Sequence, residues 1–449
     1  MTPSIVRSER VVLPEGECPA TIHLQGGRIV SIGGYGEVPA AVSLIDAGTL
    51  VVLPGLVDTH VHVNEPGRTE WEGFATATRA AAAGGVTTIV DMPLNSVPAT
   101  TTVGAFEQKL GAAQGQCHVD VGFWGGVVPG NAPDLEPLAR AGVLGFKAFL
   151  SPSGVEEFEH VAERDLRKAL PILARLGLPL LVHAELPSAL RPLDPAANPR
   201  AYGTWLNSRP PASEAAAIDL LIRLSREYGT AVHIVHLASA AALPALRAAR
   251  ASGMRITVET CPHYLTFCAE EIEDGRTDLK CAPPIRERAN QELLWQALLS
   301  RGIDLVATDH SPAPPALKHF HDGDFTRAWG GIASLQLGLA AVWTGAAARG
   351  ASLNQLSGWL SAAPAALAGL SRSKGAIAVG RDADLILWDP DAHMTVEPAA
   401  LEHRHPVTPY AGLRLRGRVH RTLLRGETVY DEGRFPTPPR GRALLQTRA

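Results

Sequence analysis

Six residues whose side chains can bind a metal ion or move a proton stand at the ends of apolar runs of the chain. They are His60, His62, Lys147, His183, His236 and Asp309. His60 and His62 are two residues apart, so on an extended strand both side chains leave the same face. Imidazole nitrogen and carboxylate oxygen are typical ligands of zinc and of neighbouring first-row divalent ions. As a set, the six residues predict a metal centre.

Each residue alone also has an ordinary structural explanation, since a lone histidine after an apolar run is usually hydrogen-bonded within the core. Six positions are too many for one four-coordinate ion and favour two ions about 3.5–4 Å apart, with a hydroxide bridging them. Metal binding lowers the pKa of water from about 15.7 to near 7, which gives a nucleophile at neutral pH. Asp309 would bind one ion and accept the proton of the attacking water as general base.

The elements that position these residues are eight apolar runs between residues 53 and 370, separated mostly by amphipathic stretches. The runs span residues 55–58, 86–90, 119–123, 143–146, 178–182, 231–235, 256–258 and 303–307. Apolar strands that alternate with helices favour a parallel sheet buried on both faces. Eight units in about 300 residues predict an α/β fold of the (β/α)₈ TIM-barrel type, with its active site at the C-terminal strand ends. A doubly wound open sheet is the alternative.

Short β-prone runs occupy both ends of the chain. Residues 20–24 and 28–32 flank Gly26 and Gly27 and predict a hairpin, and residues 383–388, 418–424 and 428–430 resemble them in style. Neither end is large enough to bury a sheet alone. We therefore predict a small β-sandwich domain from residues 1–52 and 371–449, flanking a hydrolase barrel at residues 53–370.

Composition excludes several classes of function. The chain has 449 residues, of which 46% are hydrophobic, and this excludes global disorder. A net charge of −4 gives no field that favours nucleic acid or an anionic membrane. No apolar run reaches the roughly 18 residues of a membrane span, and the N-terminus lacks the pattern of a secretory signal. Five cysteines without a C-x-x-C pair are typical of reduced thiols, so we expect a cytoplasmic protein.

These residues resemble the metal-dependent amidohydrolase superfamily, in the cyclic-amidase branch of dihydroorotases, hydantoinases, dihydropyrimidinases and allantoinases. The resemblance runs through essentially the whole chain, from residues 51–58 to residues 380–385. The stretch GFKAF at 145–149 resembles the motif whose lysine is carboxylated by carbon dioxide. The resemblance therefore implies that Lys147 carries a carbamate that bridges two metal ions. From its chemistry alone, a buried lysine near cations would only be expected to be neutral.

The resemblance also divides the ligands between two divalent ions, with zinc first and cobalt, manganese, iron or nickel as alternatives. His60, His62 and Asp309 match one metal site, while His183 and His236 match the other. Three further histidines stay outside the predicted ligand set: His233, His263 and His310. The family further implies a homotetramer that acts on a small molecule, with no nucleic acid or membrane partner.

Several loops are most similar to those of allantoinases, which implies ring opening of allantoin to allantoate in ureide catabolism. They include residues 64–73 and 91–100, CPHYL at 261–265, KCAPPIR at 280–286, DHSP at 309–312 and WGGIA at 329–333. By resemblance, the substrate would contact Asn64 and main-chain groups at Ser153, Ala282, Gly331 and Ile332. Dihydroorotases carry an arginine at the position of Asn64 to hold the substrate carboxylate, so asparagine favours a neutral ureide.

Other functions remain open at this point. A dihydroorotase or a hydantoinase (dihydropyrimidinase) would differ from an allantoinase in the loop residues. A non-catalytic assembly protein of the same branch would lack metal ligands, whereas all six are present in this chain. A mononuclear deaminase on the same fold would lack the strand-four lysine, so Lys147 argues against it.

Overall fold

The computed structural model describes residues 4–39 and 42–446, and the following elements lie within them. The strands are β1 (Ser4–Leu13), β2 (Gly16–Gln25), β3 (Arg28–Gly33), β4 (Ser43–Asp46), β5 (Val51–Pro54), β6 (Leu56–Val61), β7 (Val86–Asp91), β8 (Asp120–Phe123), β9 (Gly125–Gly126), β10 (Phe146–Phe149), β11 (Leu180–His183), β12 (Val232–Ile234), β13 (Ile256–Thr260), β14 (Leu305–Val306), β15 (Leu385–Thr395), β16 (Arg414–Leu424) and β17 (Glu427–Asp431). The helices are α1 (Phe74–Ala83), α2 (Val103–Ala113), α3 (Leu135–Ala141), α4 (Glu163–Leu176), α5 (Tyr202–Ser208), α6 (Pro211–Tyr228), α7 (Leu243–Ala251), α8 (Pro262–Thr266), α9 (Arg288–Leu299), α10 (Gly338–Ala348), α11 (Leu353–Ser357) and α12 (Ala363–Leu367).

The central part of the chain is a closed barrel of parallel strands. Strands β6, β7 and β8 form one parallel sheet, and β9 to β14 follow in chain order in a second. The N–H of Leu144 donates to the carbonyl of Phe123 at 2.9 Å, which joins β8 to the segment that leads into β10. The ring closes where the N–H of His62 donates to the carbonyl of His310 at 2.8 Å. The predicted TIM-type barrel is therefore confirmed, and the open-sheet alternative is wrong.

Local sequence signals explain where the barrel elements begin and end. Strands β6, β7 and β10 are buried along their whole length, as expected for strands covered by helices on one face and by barrel side chains on the other. Helix α6 begins at Pro211, whose fixed φ suits a first helical turn, and ends at Tyr228, before Gly229 with its left-handed φ of 68°.

The fourth barrel strand lies further along the chain than we predicted. Residues 143–146 were expected to form it, but β10 spans Phe146–Phe149, so Lys147 is the second residue of the strand and does not follow it. At Gly145 a Cβ atom would come within 2.9 Å of both Trp124 and Pro179. Neighbouring residues thus pack closely against Gly145, which lies just before the strand. The apolar sequence pattern runs through Gly145 and gives no sign that the strand begins only at Phe146.

A second, mixed sheet joins the two ends of the chain. Its order is β17-β16-β15-β5-β1-β2-β3, and β4 pairs with β1. The predicted β2–β3 hairpin turns at Gly26 and Gly27, whose φ values of 60° and 82° are those that a tight two-residue turn requires. An apolar cluster that includes Val6, Ile22 and Leu385 fills one side of this sheet. The exact domain limits drawn from the sequence stay a prediction.

Within the described parts of the chain, none of the helices has both the length and the apolar character that a bilayer span needs.

A buried ion network ties the mixed sheet to the barrel. Lys374 Nζ lies 2.6 Å from Asp120 at the start of β8, 2.7 Å from Asp384 and 3.0 Å from Asp382. Arg425, in the turn between β16 and β17, also donates to Asp120, at 2.6 Å. Burial alone would lower the pKa of Lys374, but the surrounding carboxylates raise it above its usual value. The lysine is therefore the cation that makes three clustered carboxylates tolerable.

We expect the substitution Lys374→Met to lower the free energy of unfolding by about 3–5 kcal/mol, because it leaves the buried Asp384 carboxylate without a cation, while Arg425 still pairs with Asp120. Urea denaturation followed by circular dichroism measures this loss. The matched control is Lys168→Met on the exposed face of α4, which should leave the midpoint unchanged. A loss below about 1 kcal/mol for Lys374→Met, as for an exposed ion pair, would contradict the structural role.

Candidate active site

A cavity of about 240 Å³ lies at the C-terminal ends of the barrel strands. Five of the six predicted metal ligands line it: His60, His62, His183, His236 and Asp309. The sixth, Lys147, is wholly buried within β10. The fold therefore brings together residues that are up to 249 positions apart in the chain, from His60 to Asp309.

His60, His62 and Asp309 converge on one point. Asp309 Oδ1 lies 3.1 Å from Nε2 of His60 and 3.3 Å from Nε2 of His62. One ligand atom from each of the three residues falls within 4.8 Å of the others. Two imidazole nitrogens and a carboxylate oxygen at this spacing fit a zinc-like cation.

Lys147, His183 and His236 form the adjoining group. His183 Nδ1 lies 3.1 Å from His236 Nε2. Lys147 Nζ and His236 Nδ1 are buried without a hydrogen-bond partner among the residues that the structure describes. Buried nitrogen atoms are normally hydrogen-bonded, so orphaned ones in a cluster of ligand-type side chains indicate a missing partner. The donor set and these orphaned atoms together fit bound cations.

Two buried glutamates hold the histidines in place. Glu259, at the end of β13, accepts hydrogen bonds from Nδ1 of His60 at 2.5 Å, from Nε2 of His233 at 3.0 Å and from the N–H of His236 at 3.2 Å. Glu185 lies 2.8 Å from Nε2 of His183. A carboxylate behind a ligating imidazole fixes the tautomer and the ring orientation. Neither glutamate was among the site residues predicted from the sequence.

The glutamates carry signals that sequence reasoning can use. Glu185 is two residues beyond His183, so on an extended chain it shares the face of that histidine. Glu259 directly follows the run 256–258, which we ended at its last apolar residue. An acidic residue at the end of an apolar strand is the same signal that identified Asp309.

Burial sets the protonation states of the site. It lowers the pKa of His62 to about 4, and it also lowers the pKa of His183 and, further, that of His236. These imidazoles are therefore neutral at pH 7 and keep a lone pair for a cation. Burial lowers the pKa of Lys147 to about 8, although Asp309 and Glu259 oppose the shift. Burial alone would raise the pKa of Asp309, but the nearby histidines hold it well below its usual range.

Asp309 owes its position to the strand ends beneath it. Asp58 in β6 accepts hydrogen bonds from Oγ1 and from the N–H of Thr308, at 2.5 and 3.2 Å. This contact holds the segment after β14 against β6, where Asp309 adopts a left-handed φ of 47°. The backbone thus turns the aspartate side chain toward the histidines of β6.

The neighbouring His310 is held away from the cavity. Its Nδ1 accepts hydrogen bonds from the N–H groups of Ser334 and Leu335 at 3.0 and 3.2 Å, and its Nε2 lies 3.4 Å from Glu72. Both ring nitrogens are therefore occupied by protein groups. His310 does not face the metal ligands.

The predicted substrate contacts divide into two groups. Ser153, Ala282 and Gly331 line the cavity, whereas Asn64 and Ile332 are not among its lining residues. Asn64 points its amide toward the carbonyl of Pro312, at 3.4 Å. Substrate contacts at all five positions remain predictions.

Some polar groups of the predicted substrate-contact residues already form hydrogen bonds within the protein. The hydroxyl of Ser153 donates to the carbonyl of Phe158 at 2.6 Å, so main-chain atoms are what this residue can offer a ligand. The N–H of Gly331 donates to the carbonyl of Lys280 at 2.8 Å. A Cβ atom at Gly331, which has a φ of 125°, would come within 2.4 Å of the Ser311 carbonyl, so only glycine fits there.

Other cavity-lining residues were not in our predicted set. Asn95 lies 3.4 Å from His62, and Trp205, Arg209 and Lys280 form a further group. Asn95 and Lys280 belong to stretches that we had singled out as family motifs, but nothing in those stretches shows which side chain faces the cavity. Trp205 lies in α5, and Arg209 directly follows that helix. This segment does not belong to the repeating pattern of strands and helices from which we predicted the barrel.

Comparison with known proteins shows the family of the chain. The model of the amidohydrolase family matches residues 51–429. An allantoinase of Streptomyces avermitilis is 53% identical over 441 residues, which cover 98% of each chain. An allantoinase of Arabidopsis thaliana is 44% identical over 98% of this chain and 91% of the plant protein. The solved L-hydantoinase (dihydropyrimidinase) of Arthrobacter aurescens matches with a TM-score of 0.95 at 30% identity, covering 99% of this chain and 100% of that one. With its barrel, its buried ligand set and its full-length relatives, this chain belongs to the amidohydrolase family.

Proposed function

We propose that this chain hydrolyses a ring amide bond of allantoin and releases allantoate. The proposal is supported by six predicted metal ligands, five of which line one cavity, in a chain that is 53% identical to a protein named allantoinase over 98% of its length. An assembly protein without catalysis has no need of this buried set of ligands. The side chain of Lys147 within the cluster likewise argues against a mononuclear deaminase.

The residues that would hold the metals are those of the two adjoining groups. His60, His62 and Asp309 would bind one divalent cation, and His183 and His236 the other, with carboxylated Lys147 shared by both. Zinc suits this nitrogen and oxygen donor set, as do cobalt, manganese, iron and nickel. Such cations supply Lewis acidity and lower the pKa of water.

Carboxylation requires a neutral amine, and the surroundings of Lys147 favour one. Burial lowers the pKa of Lys147 to about 8, so about one in ten of its side chains is unprotonated at pH 7. The free nitrogen lone pair attacks the carbon of carbon dioxide, a nitrogen–carbon bond forms, and one proton leaves for solvent. The product is an anion in place of a cation, among imidazoles that carry no charge.

Asp309 acts as the general base of the proposed reaction. Its carboxylate is ionised and lines the cavity, so it can accept the proton of an attacking water molecule. The same oxygen can then return the proton to the ring nitrogen that leaves as the amide bond breaks. His310 is no substitute, because backbone N–H groups and Glu72 occupy its ring nitrogens.

Two residues that follow the histidine pair at the end of strand β6, Asn64 and Arg68, support a neutral substrate. Asn64 is uncharged at the position where dihydroorotases carry their carboxylate-binding arginine. Arg68 is close in sequence, but it donates to the Asn95 carbonyl at 2.8 Å and pairs with Glu157. These contacts leave neither residue free to hold a substrate carboxylate.

Hydantoin hydrolysis is a second candidate function, favoured by the TM-score of 0.95 to the L-hydantoinase of Arthrobacter aurescens. Allantoin is itself a hydantoin with a ureido substituent. Whether the cavity has groups that bind this substituent therefore decides between the two activities. We also retain two predictions: a homotetramer, from the family resemblance, and a cytoplasmic location, from the cysteine pattern.

The substitution Asp309→Asn is expected to lower kcat for allantoin by about 10²–10⁴-fold, because an amide accepts no proton at neutral pH. Steady-state assays of metal-loaded protein, with metal content measured in parallel, separate loss of the base from loss of a ligand. The matched control, Asp219→Asn on the exposed side of α6, should retain full activity. A decrease of less than about tenfold for Asp309→Asn would mean that another group takes the proton.

Assays of the metal-loaded protein with three substrates test the proposed function itself. We expect kcat/KM for allantoin to exceed that for dihydroorotate by orders of magnitude, because burying an unpaired carboxylate costs several kcal/mol. Allantoin should also be preferred over hydantoin. A preference for dihydroorotate would overturn the assignment, and a preference for hydantoin would establish the second candidate.

A further inference from the structure

Lys280 places a cation in the cavity that the proposed chemistry does not use. Its side chain lines the cavity and is only 5% exposed. Nζ donates one hydrogen bond, to the carbonyl of Ala328 at 2.6 Å, and lies 4.3 Å from the centre of the Trp205 ring. An ammonium group has three N–H donors, so two of them remain for other acceptors.

The ammonium of Lys280 has no carboxylate in contact with it in the described part of the chain, although Asp324 acts on it from further away. Among residues 4–39 and 42–446, no carboxylate lies within 4.0 Å of its nitrogen. The adjacent Arg209 has its own partner in Glu185, and Lys318 donates to the carbonyl of Trp329 at 3.2 Å. Burial, together with Arg209 and Lys318, lowers the pKa of Lys280 to about 8, so the group is still mostly protonated at pH 7.

A buried ammonium with one neutral acceptor carries an electrostatic cost that a further oxygen acceptor relieves. Because Lys280 faces the same cavity as the metal ligands, that oxygen can belong to the substrate. Trp205 adds a flat aromatic surface beside the ammonium, which suits a planar group. Together they offer hydrogen-bond donors and a stacking surface.

We infer that Lys280 binds the ureido substituent of allantoin by donating hydrogen bonds from Nζ to the ureido carbonyl oxygen. The inference rests on the proposed function and assigns the residue that distinguishes allantoin from unsubstituted hydantoin. A site built to hydrogen-bond a substrate group rejects the analogue that lacks it, because its own donors are then left unpaired. Lys280 is thus the specificity residue of the cavity.

A purely structural role makes a different prediction. Lys280 and Lys318 both hold the loop 328–331, since Lys280 donates to Ala328 and Lys318 to Trp329 and Gly331. Lys318 is not among the residues that line the cavity. Loss of either lysine would disturb the loop, but only loss of Lys280 would remove a donor from the substrate. This difference provides a matched control within one loop.

The experiment compares Lys280→Met, Lys280→Gln, Lys318→Met and the exposed control Lys168→Met. It measures kcat/KM for allantoin and the Ki of hydantoin as a competitor of allantoin hydrolysis. We expect both Lys280 variants to lose kcat/KM for allantoin by about tenfold or more beyond any factor by which the Ki of hydantoin rises. Lys318→Met should shift both quantities by the same factor, and Lys168→Met should shift neither.

Two results would overturn the inference while leaving the proposed function intact. One is an equal weakening of allantoin and hydantoin in the Lys280 variants, which would assign Lys280 to loop structure alone. The other is an unchanged kcat/KM for allantoin. If the unsubstituted protein hydrolyses hydantoin but not allantoin, the proposed function fails first and this inference fails with it. Stronger binding of dihydroorotate than of allantoin, lost in Lys280→Met, would assign the ammonium to a carboxylate and contradict the ureido contact.

Discussion

The buried nitrogen of Lys147 is the constraint on which the rest of the site depends. It has no hydrogen-bond partner in the described part of the chain, and burial lowers its pKa to about 8. The imidazoles around it are neutral, and Asp309 is the single carboxylate among the six predicted ligands. Two divalent cations would therefore meet only one anionic side chain, that of Asp309, within this predicted ligand set. Conversion of the amine to a carbamate would supply a second anion at the place where the structure has an unsatisfied atom.

A layer of buried carboxylates beneath the cavity makes this arrangement rigid. Glu259 fixes two histidine rings and one backbone N–H, Glu185 fixes His183, and Asp58 holds the segment that carries Asp309. Each carboxylate is buried and fully used in hydrogen bonds or ion pairs, apart from one oxygen of Glu185. Ligand geometry is therefore set before any metal binds. Further from the cavity, the network around Lys374 anchors the mixed sheet to the barrel and so stabilises the scaffold.

The barrel was predictable from the sequence, and the six candidate ligands stood out there, because both rest on short-range signals. Buried parallel strands are apolar throughout, so a charged or imidazole side chain at the end of such a run stands out, as His183 and Asp309 do. The start of β10 was misplaced by three residues because the apolar pattern continues through Gly145, whose close contacts come from distant residues. Cavity-lining loops follow no periodicity, so the direction of the Lys280 side chain depends on tertiary contacts that only the fold reveals.

The most direct measurement of the central claim is ¹³C NMR of the protein incubated with ¹³C-bicarbonate and zinc, alongside the variant Lys147→Arg. Because a guanidinium group stays protonated and takes up no carbon dioxide, this variant is the negative control. The account predicts one protein-bound carbamate carbon per chain in the unsubstituted protein and none in Lys147→Arg. Hydrolytic activity with two bound metal ions and no carbamate signal would contradict it, because another anion would then have to hold the cations together.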